Sequence, residues 1–199
     1  MINTIVFDLG GVMANFQEEL TRSMFAAIGI DDISDNAELT LRMDRGQITG
    51  DEFAAEVLKR CKPGTTAQQV KDAYKVFIDL PPHRARLIRL LSKSYRLILL
   101  SDIGDIHWPY FCEMAKAGGV DIEACFDKIY LSYRFGNTKP APEFYKYMIE
   151  DSGLEPSESL YIDDKPANIA AGAAFGLNTF CLTTNGLDAE LPQILDILG

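Results

Sequence analysis

Three short apolar runs, far apart in the chain, each stop at acidic residues. Ile5-Val6-Phe7 ends at Asp8, Leu97-Ile98-Leu99-Leu100 ends at Ser101-Asp102, and Leu160-Tyr161-Ile162 ends at Asp163-Asp164. Apolar runs of this length, bounded by turn-forming residues, read as strands buried on both faces, as in a parallel sheet. Lys128–Leu131 and the stretch from Asn178 to Leu182 read as two further strands. Helical stripes fall between them: Leu87, Leu90 and Leu91; Ile106, Tyr110, Phe111 and Met114; Phe144, Tyr145 and Met148 behind Pro142. Pro166 opens another helix that Gly176 closes, and Asp188 caps a last one carrying Leu191, Ile194, Leu195 and Leu198. Strands alternating with helices predict an α/β fold with a doubly wound, Rossmann-like parallel sheet.

That rhythm is interrupted once. From Asn15 to about Pro82 no strand pattern is visible and helical spacing takes over. Leu20, Met24 and Ile28 repeat at four-residue steps before Gly29, and Asp35 stands where it would cap a helix carrying Leu39 and Met43. Thr49-x-x-Glu52 and Thr66-x-x-Gln69 are capping-box patterns ahead of two more helices. About four short helices predict a small helical bundle inserted after the first strand, either a cap over the sheet edge or a purely structural subdomain. The expected division is a core of residues 1–14 and 84–199 and a helical insert of residues 15–83.

A chain of 199 residues, 47% hydrophobic and 24% charged, suits one domain with a modest insertion. Its net charge of −10 argues against nucleic acid or an anionic membrane as a partner. No secretory signal pattern and no membrane-length apolar stretch is visible, so the expectation is a cytoplasmic monomer or homodimer. Cys61, Cys112, Cys125 and Cys181 are scattered without a CxxC pair and read as reduced thiols.

In a parallel sheet the strand ends share one edge, so Asp8, Ser101, Asp102, Asp163 and Asp164 converge there. The loop after the third core strand brings Lys139 to the same rim. Several carboxylates in one place repel unless a divalent cation sits among them, and hard oxygen ligands suit Mg²⁺. A serine hydroxyl and a lysine ammonium suit a phosphate. Together they point to Mg²⁺-dependent phosphoryl transfer with a carboxylate available as nucleophile. Taken singly, Asp8 or the Asp163-Asp164 pair reads equally as a cap of the following turn or helix, and Lys139 as a solvated surface lysine. His107-Trp108 reads as core packing or as cleft lining.

Phe7-Asp-Leu-Gly-Gly-Val12, Leu99-Leu-Ser-Asp102, Thr138-Lys-Pro140 and Tyr161-Ile-Asp-Asp164 occur in this order, with Asn168 following. This series resembles the four motifs of the haloacid dehalogenase-like hydrolase superfamily, in its helical-cap branch that includes sugar-phosphate phosphatases. The resemblance implies that Asp8 attacks phosphorus and that Asp8, Asp164 and the Gly10 carbonyl hold Mg²⁺ with Asp163 in support. It further implies that Ser101 and the Asp102 amide bind the phosphoryl group, that Lys139 neutralises Asp8 and the phosphate, and that Asn168 lies behind the ligands. The expected activity is hydrolysis of a small phosphorylated metabolite. The alternatives are a catalytically weakened phosphate-binding or regulatory relative and a metal-free 2-haloacid dehalogenase. Two positions depart from the family pattern. Gly10 stands where the usual acid–base aspartate would be, and Asp102 where an asparagine is usual, which adds a negative charge beside the expected phosphate.

Overall fold

The computed structural model describes residues 1–199. β1 (Thr4–Phe7) is followed by a two-residue strand β2 (Asn15–Phe16), then by helices α1 (Glu18–Ala27), α2 (Ala37–Asp44), α3 (Gly50–Leu58) and α4 (Ala67–Lys75). The short β3 (Ile78–Asp79) leads to α5 (Pro82–Leu91), β4 (Arg96–Ser101), α6 (His107–Ala117), β5 (Lys128–Leu131) and the single turn α7 (Ser132–Phe135). The chain ends with α8 (Pro142–Ser152), β6 (Ser159–Asp163), α9 (Pro166–Ala174), β7 (Asn178–Cys181) and α10 (Leu191–Leu198). No helix is long and apolar enough to cross a membrane.

Five strands form one parallel sheet in the order β5-β4-β1-β6-β7, so the expected doubly wound sheet is present. Alternating side chains on each strand feed two cores. Ile5, Phe7, Leu97, Leu99, Leu160 and Ile162 face one side with α5, α6 and α10. Val6, Ile98, Leu100 and Tyr161 face the other with α8. Burying an aliphatic or aromatic side chain of this kind contributes about 1.5–3 kcal/mol, which explains why both faces of these strands are apolar. Phe7 lies level with Leu99 and Ile162, so one step further along the register Asp8 stands beside Leu100 and Asp163. The chain winds outward from β1 through β4 to β5, then returns to β6 on β1's other side. Asp8 and Asp163 flank that switch point, where open α/β sheets bind ligands.

Helices α1 to α4 pack around a separate apolar cluster built on Phe25, Met43, Phe53, Val57, Val70 and Tyr74. Both capping boxes form, with Thr49 and Thr66 accepting from the amides of Glu52 and Gln69. Other local expectations shift. In α1 the inward face carries Thr21 and Phe25, while Leu20 is exposed, because the stripe starts one residue later than its leucine suggests. Leu90 and Leu195 are likewise exposed, and Ile88 and Ile194 fill the core in their helices. Asp35 caps nothing; Asp32 accepts from the Ser34 amide at a one-turn 3₁₀ helix before α2. Asp188 does not cap α10. Its carboxylate instead binds buried Arg84, which also donates to the Met13 carbonyl and the Asn15 side chain. The insert is not strand-free either: β2 and β3 pair antiparallel where the chain leaves the sheet and where it returns.

Candidate active site

Asp8 leaves β1 into a tight loop. Its Oδ1 accepts from the Leu9 amide at 2.7 Å and from Lys139 Nζ at 2.9 Å, so Oδ2 is left for a ligand. Lys139 is the hub of the site. Its ammonium donates to Asp8, to Asp163 Oδ2 at 2.7 Å and to the Leu100 carbonyl at 3.0 Å, and its side chain is buried. Asp163 is saturated with donors. Tyr161 and Asn168 donate to its carboxylate, as does the Lys165 amide, so Asn168 reaches the site only through Asp163. Asp164 is different: its Oδ1 is buried and has no partner. Ser101 Oγ is buried and unpartnered too. A buried polar atom without a partner costs about 1–3 kcal/mol, so two such atoms at one strand edge mark places for a ligand.

The carboxylates of Asp8, Asp163 and Asp164 each place an oxygen within 4.8 Å of the others. Against three such groups the structure sets the single ammonium of Lys139, leaving two negative charges in excess when all are ionised. An oxygen-rich cluster short of two positive charges, with one orphaned buried oxygen, fits a divalent cation. Gly11 makes room for the Asp164 carboxylate. Its φ is +72°, and a β-carbon there would fall 2.5 Å from Asp164 Oδ2, so any other residue would push that carboxylate away.

Titration follows from burial. Desolvation pushes Asp8 up to about 7, the nearby charges of Asp163 and Asp102 add to this, and Lys139 opposes it. Burial acts on Asp163 in the same sense, but there Lys139 and the Tyr161 hydroxyl prevail and hold the carboxyl below its ordinary value. Burial raises Asp164, as does neighbouring Asp163. Burial also raises Asp102, whose Oδ1 accepts from the Lys139 amide at 2.9 Å. That hydrogen bond ties the unusual carboxylate to the Lys139 backbone.

Asp8, Gly10, Asp102 and Lys139 open onto one cavity of about 410 Å³. Its far wall comes from the helical insert, through Thr40, Asp44 and Tyr74, with Phe16 at the hinge and Lys165 at the rim. His107 lines it as well, and its Nε2 donates to the Tyr74 carbonyl at 3.0 Å, whereas Trp108 is buried against Phe111. All eight site positions picked from the sequence cluster at the same strand edge. The wall residues were not legible: Thr40 and Asp44 sit on a short helix of ordinary surface composition, and Phe16 reads as one more apolar residue.

Residues 2–176 match the family described as haloacid dehalogenase-like hydrolase. The chain is 33% identical to the D-ribitol-5-phosphate phosphatase of Bacteroides thetaiotaomicron, over 98% of this chain and all of that one. A Bacteroides thetaiotaomicron enzyme of the same family, crystallised with magnesium and inorganic phosphate, superposes with a TM-score of 0.86 at 31% identity, covering 92% of this chain and 96% of that one. A predicted hydrolase of this family from Porphyromonas gingivalis superposes with a TM-score of 0.85 at 35% identity, covering 100% and 98%. With near full-length matches in sequence and structure, this chain belongs to the haloacid dehalogenase-like hydrolases.

Proposed function

We propose that this chain is a Mg²⁺-dependent phosphatase that hydrolyses a small sugar or polyol phosphate through an aspartyl-phosphate on Asp8. One observation carries the reading: the cluster of Asp8, Asp163 and Asp164, short of two positive charges, lies at the strand edge that also carries the unpartnered Ser101 hydroxyl. The relative named as a ribitol-5-phosphate phosphatase and the neighbour holding magnesium and phosphate support it.

Asp8 attacks phosphorus through Oδ2, the oxygen its neighbours leave free. Lys139 holds Oδ1 and so fixes the carboxylate's orientation while offsetting its charge. The Ser101 hydroxyl and the Asp102 amide receive phosphoryl oxygens. Asp8, Asp164 and the Gly10 carbonyl would hold Mg²⁺, with Asp163 kept in place by Lys139, Tyr161 and Asn168. A bound Mg²⁺ supplies charge neutralisation for the phosphoryl oxygens and favours the ionised form of Asp8. The helical insert of residues 15–83 acts as a cap that encloses the substrate's non-phosphate end. A metal-free haloacid dehalogenase fits poorly, because three clustered carboxylates would repel the substrate's own carboxylate.

A panel of phosphorylated metabolites, beginning with ribitol 5-phosphate, tests the proposal. Phosphate release should require Mg²⁺, stop with EDTA and vanish in Asp8→Asn. Turnover that survives EDTA or Asp8→Asn would refute it.

A further inference from the structure

With glycine at position 10, no side chain two residues after the nucleophile can protonate a leaving group, and the surrounding structure closes that position. A β-carbon on Gly10 would fall 2.7 Å from Cζ of Phe16, whose ring packs tilted against Phe77. An alkyl phosphate still needs a proton on its leaving oxygen, since an alkoxide is a very poor leaving group. We propose, resting on the phosphatase reading above, that Asp44 at the C-terminal end of α2 is the general acid and base of this site.

Asp44 lines the same cavity as Asp8 and Gly10, on the wall opposite the sheet edge. It is half-buried, with Oδ1 against Gly104, and nothing donates a hydrogen bond to its carboxylate. Apart from Asp8, the nucleophile, and Lys165 at the rim, the other titratable groups of the cavity are committed. Asp102 accepts from the Lys139 amide, and Lys139 is bound to two carboxylates. Tyr74 donates its hydroxyl proton to Thr40, and burial pushes that hydroxyl above its ordinary range. His107 is spent on the Tyr74 carbonyl, and burial lowers it to about 4, which leaves it neutral at pH 7. Around Asp44, burial and then the charge of Asp102 after β4 raise its carboxyl to about 7, while Lys165 after β6 opposes them. Tyr74 of α4 and His107 of α6 line the same cavity, both uncharged at pH 7. A carboxyl poised near neutrality can both give and take a proton.

As Asp8 Oδ2 bonds to phosphorus and the ester P–O bond breaks, the Asp44 carboxylic acid gives its proton to the departing oxygen, releasing the alcohol. The Asp44 carboxylate then takes a proton from water as that water attacks phosphorus, and the Asp8–phosphoryl bond breaks to give inorganic phosphate. Asp8 returns to a carboxylate and Asp44 to the acid.

The test compares leaving groups in Asp44→Asn. p-Nitrophenyl phosphate departs without a proton, whereas ribitol 5-phosphate, or the alkyl phosphate the wild-type protein turns over best, does not. Because kcat/KM covers only steps through loss of the leaving group, Asp44→Asn should lower it about 10²–10⁴-fold for the alkyl phosphate and by less than about threefold for p-nitrophenyl phosphate. Its kcat should fall for both, since dephosphorylation loses its base. Wild-type kcat/KM for the alkyl phosphate should decline above a pH of about 7, and this limb should be absent in Asp44→Asn. Asp44→Glu should recover part of the rate, and an unchanged denaturation midpoint shows that the variants fold. Equal losses on both substrates, an unchanged pH profile, or full activity in Asp44→Asn overturns the assignment of Asp44 alone. A wild-type protein inert on every monoester, or an active Asp8→Asn, overturns the phosphatase reading and this proposal with it.

Discussion

Replacing Lys139 with methionine removes the one cation buried among the site's carboxylates. Its ammonium touches Asp8 at 2.9 Å and Asp163 at 2.7 Å with both partners buried. Coulomb's law at an effective dielectric of about 20 gives about 6 kcal/mol for each contact before desolvation is set against it. Removing one partner of a buried pair leaves an uncompensated charge and destabilises by about 3–5 kcal/mol, the loss expected for Lys139→Met near pH 8. The pH dependence separates charge from packing. Asp8 and Asp163 lose the group that favours their ionised forms, so protonating them relieves the variant, and the deficit should shrink as the pH falls towards 5. Mg²⁺ should also narrow the gap, because a dication offsets the same carboxylates. Urea unfolding of wild-type and variant proteins from pH 5 to 8, with and without Mg²⁺, measures all three effects. A deficit below about 1 kcal/mol, or one that does not change with pH, would refute the hub role of Lys139.

Other perturbations probe the neighbouring parts. Burial raises Asp8 from an ordinary 3.8 to about 7, so the native state binds that proton more tightly than the unfolded chain. Metal-free protein should therefore lose this contribution to stability as the pH rises from about 4 through 7, and Mg²⁺ binding at pH 6.5 should release close to one proton, falling towards none at pH 8.5. Calorimetry in buffers of different ionisation enthalpy checks this, and equal release at both pH values would contradict it. Gly11→Ala should cost about 1–2 kcal/mol in left-handed strain and weaken Mg²⁺ binding by displacing Asp164; unchanged Mg²⁺ affinity would refute the close-approach argument. Thr49→Ala breaks a capping box at α3 and should destabilise by about 1 kcal/mol without altering the rate of the folded enzyme.

The sheet and its catalytic edge were legible because buried strands must be apolar on both faces. A carboxylate that ends such a run stands out, and Asp8, Asp102, Asp163 and Asp164 all announced themselves in this way. Lys139 could be picked out only in company, since a lone lysine says nothing about burial. The β2–β3 ribbon leaves no mark in the sequence because two-residue strands have no period. Leu20, Leu90 and Leu195 depart from the helical stripes because an exposed leucine costs little on a helix whose neighbours already fill the core. Asp188 looked like a cap until the fold brought Arg84 to it from another part of the chain. Asp44 was illegible for a related reason: only the packing of α2 over the sheet edge turns an ordinary charged helix end into a cavity wall. Long-range juxtaposition, not local pattern, decides such positions.

Every other role at this site depends on Asp8 being the nucleophile. Acid-quenching the enzyme during turnover of a phosphomonoester with Mg²⁺ and mapping peptides by mass spectrometry tests this directly. The peptide containing Asp8 should carry the mass of one phosphoryl group, absent in Asp8→Asn and absent without Mg²⁺. Sustained turnover with the phosphoryl group on a different residue would contradict it.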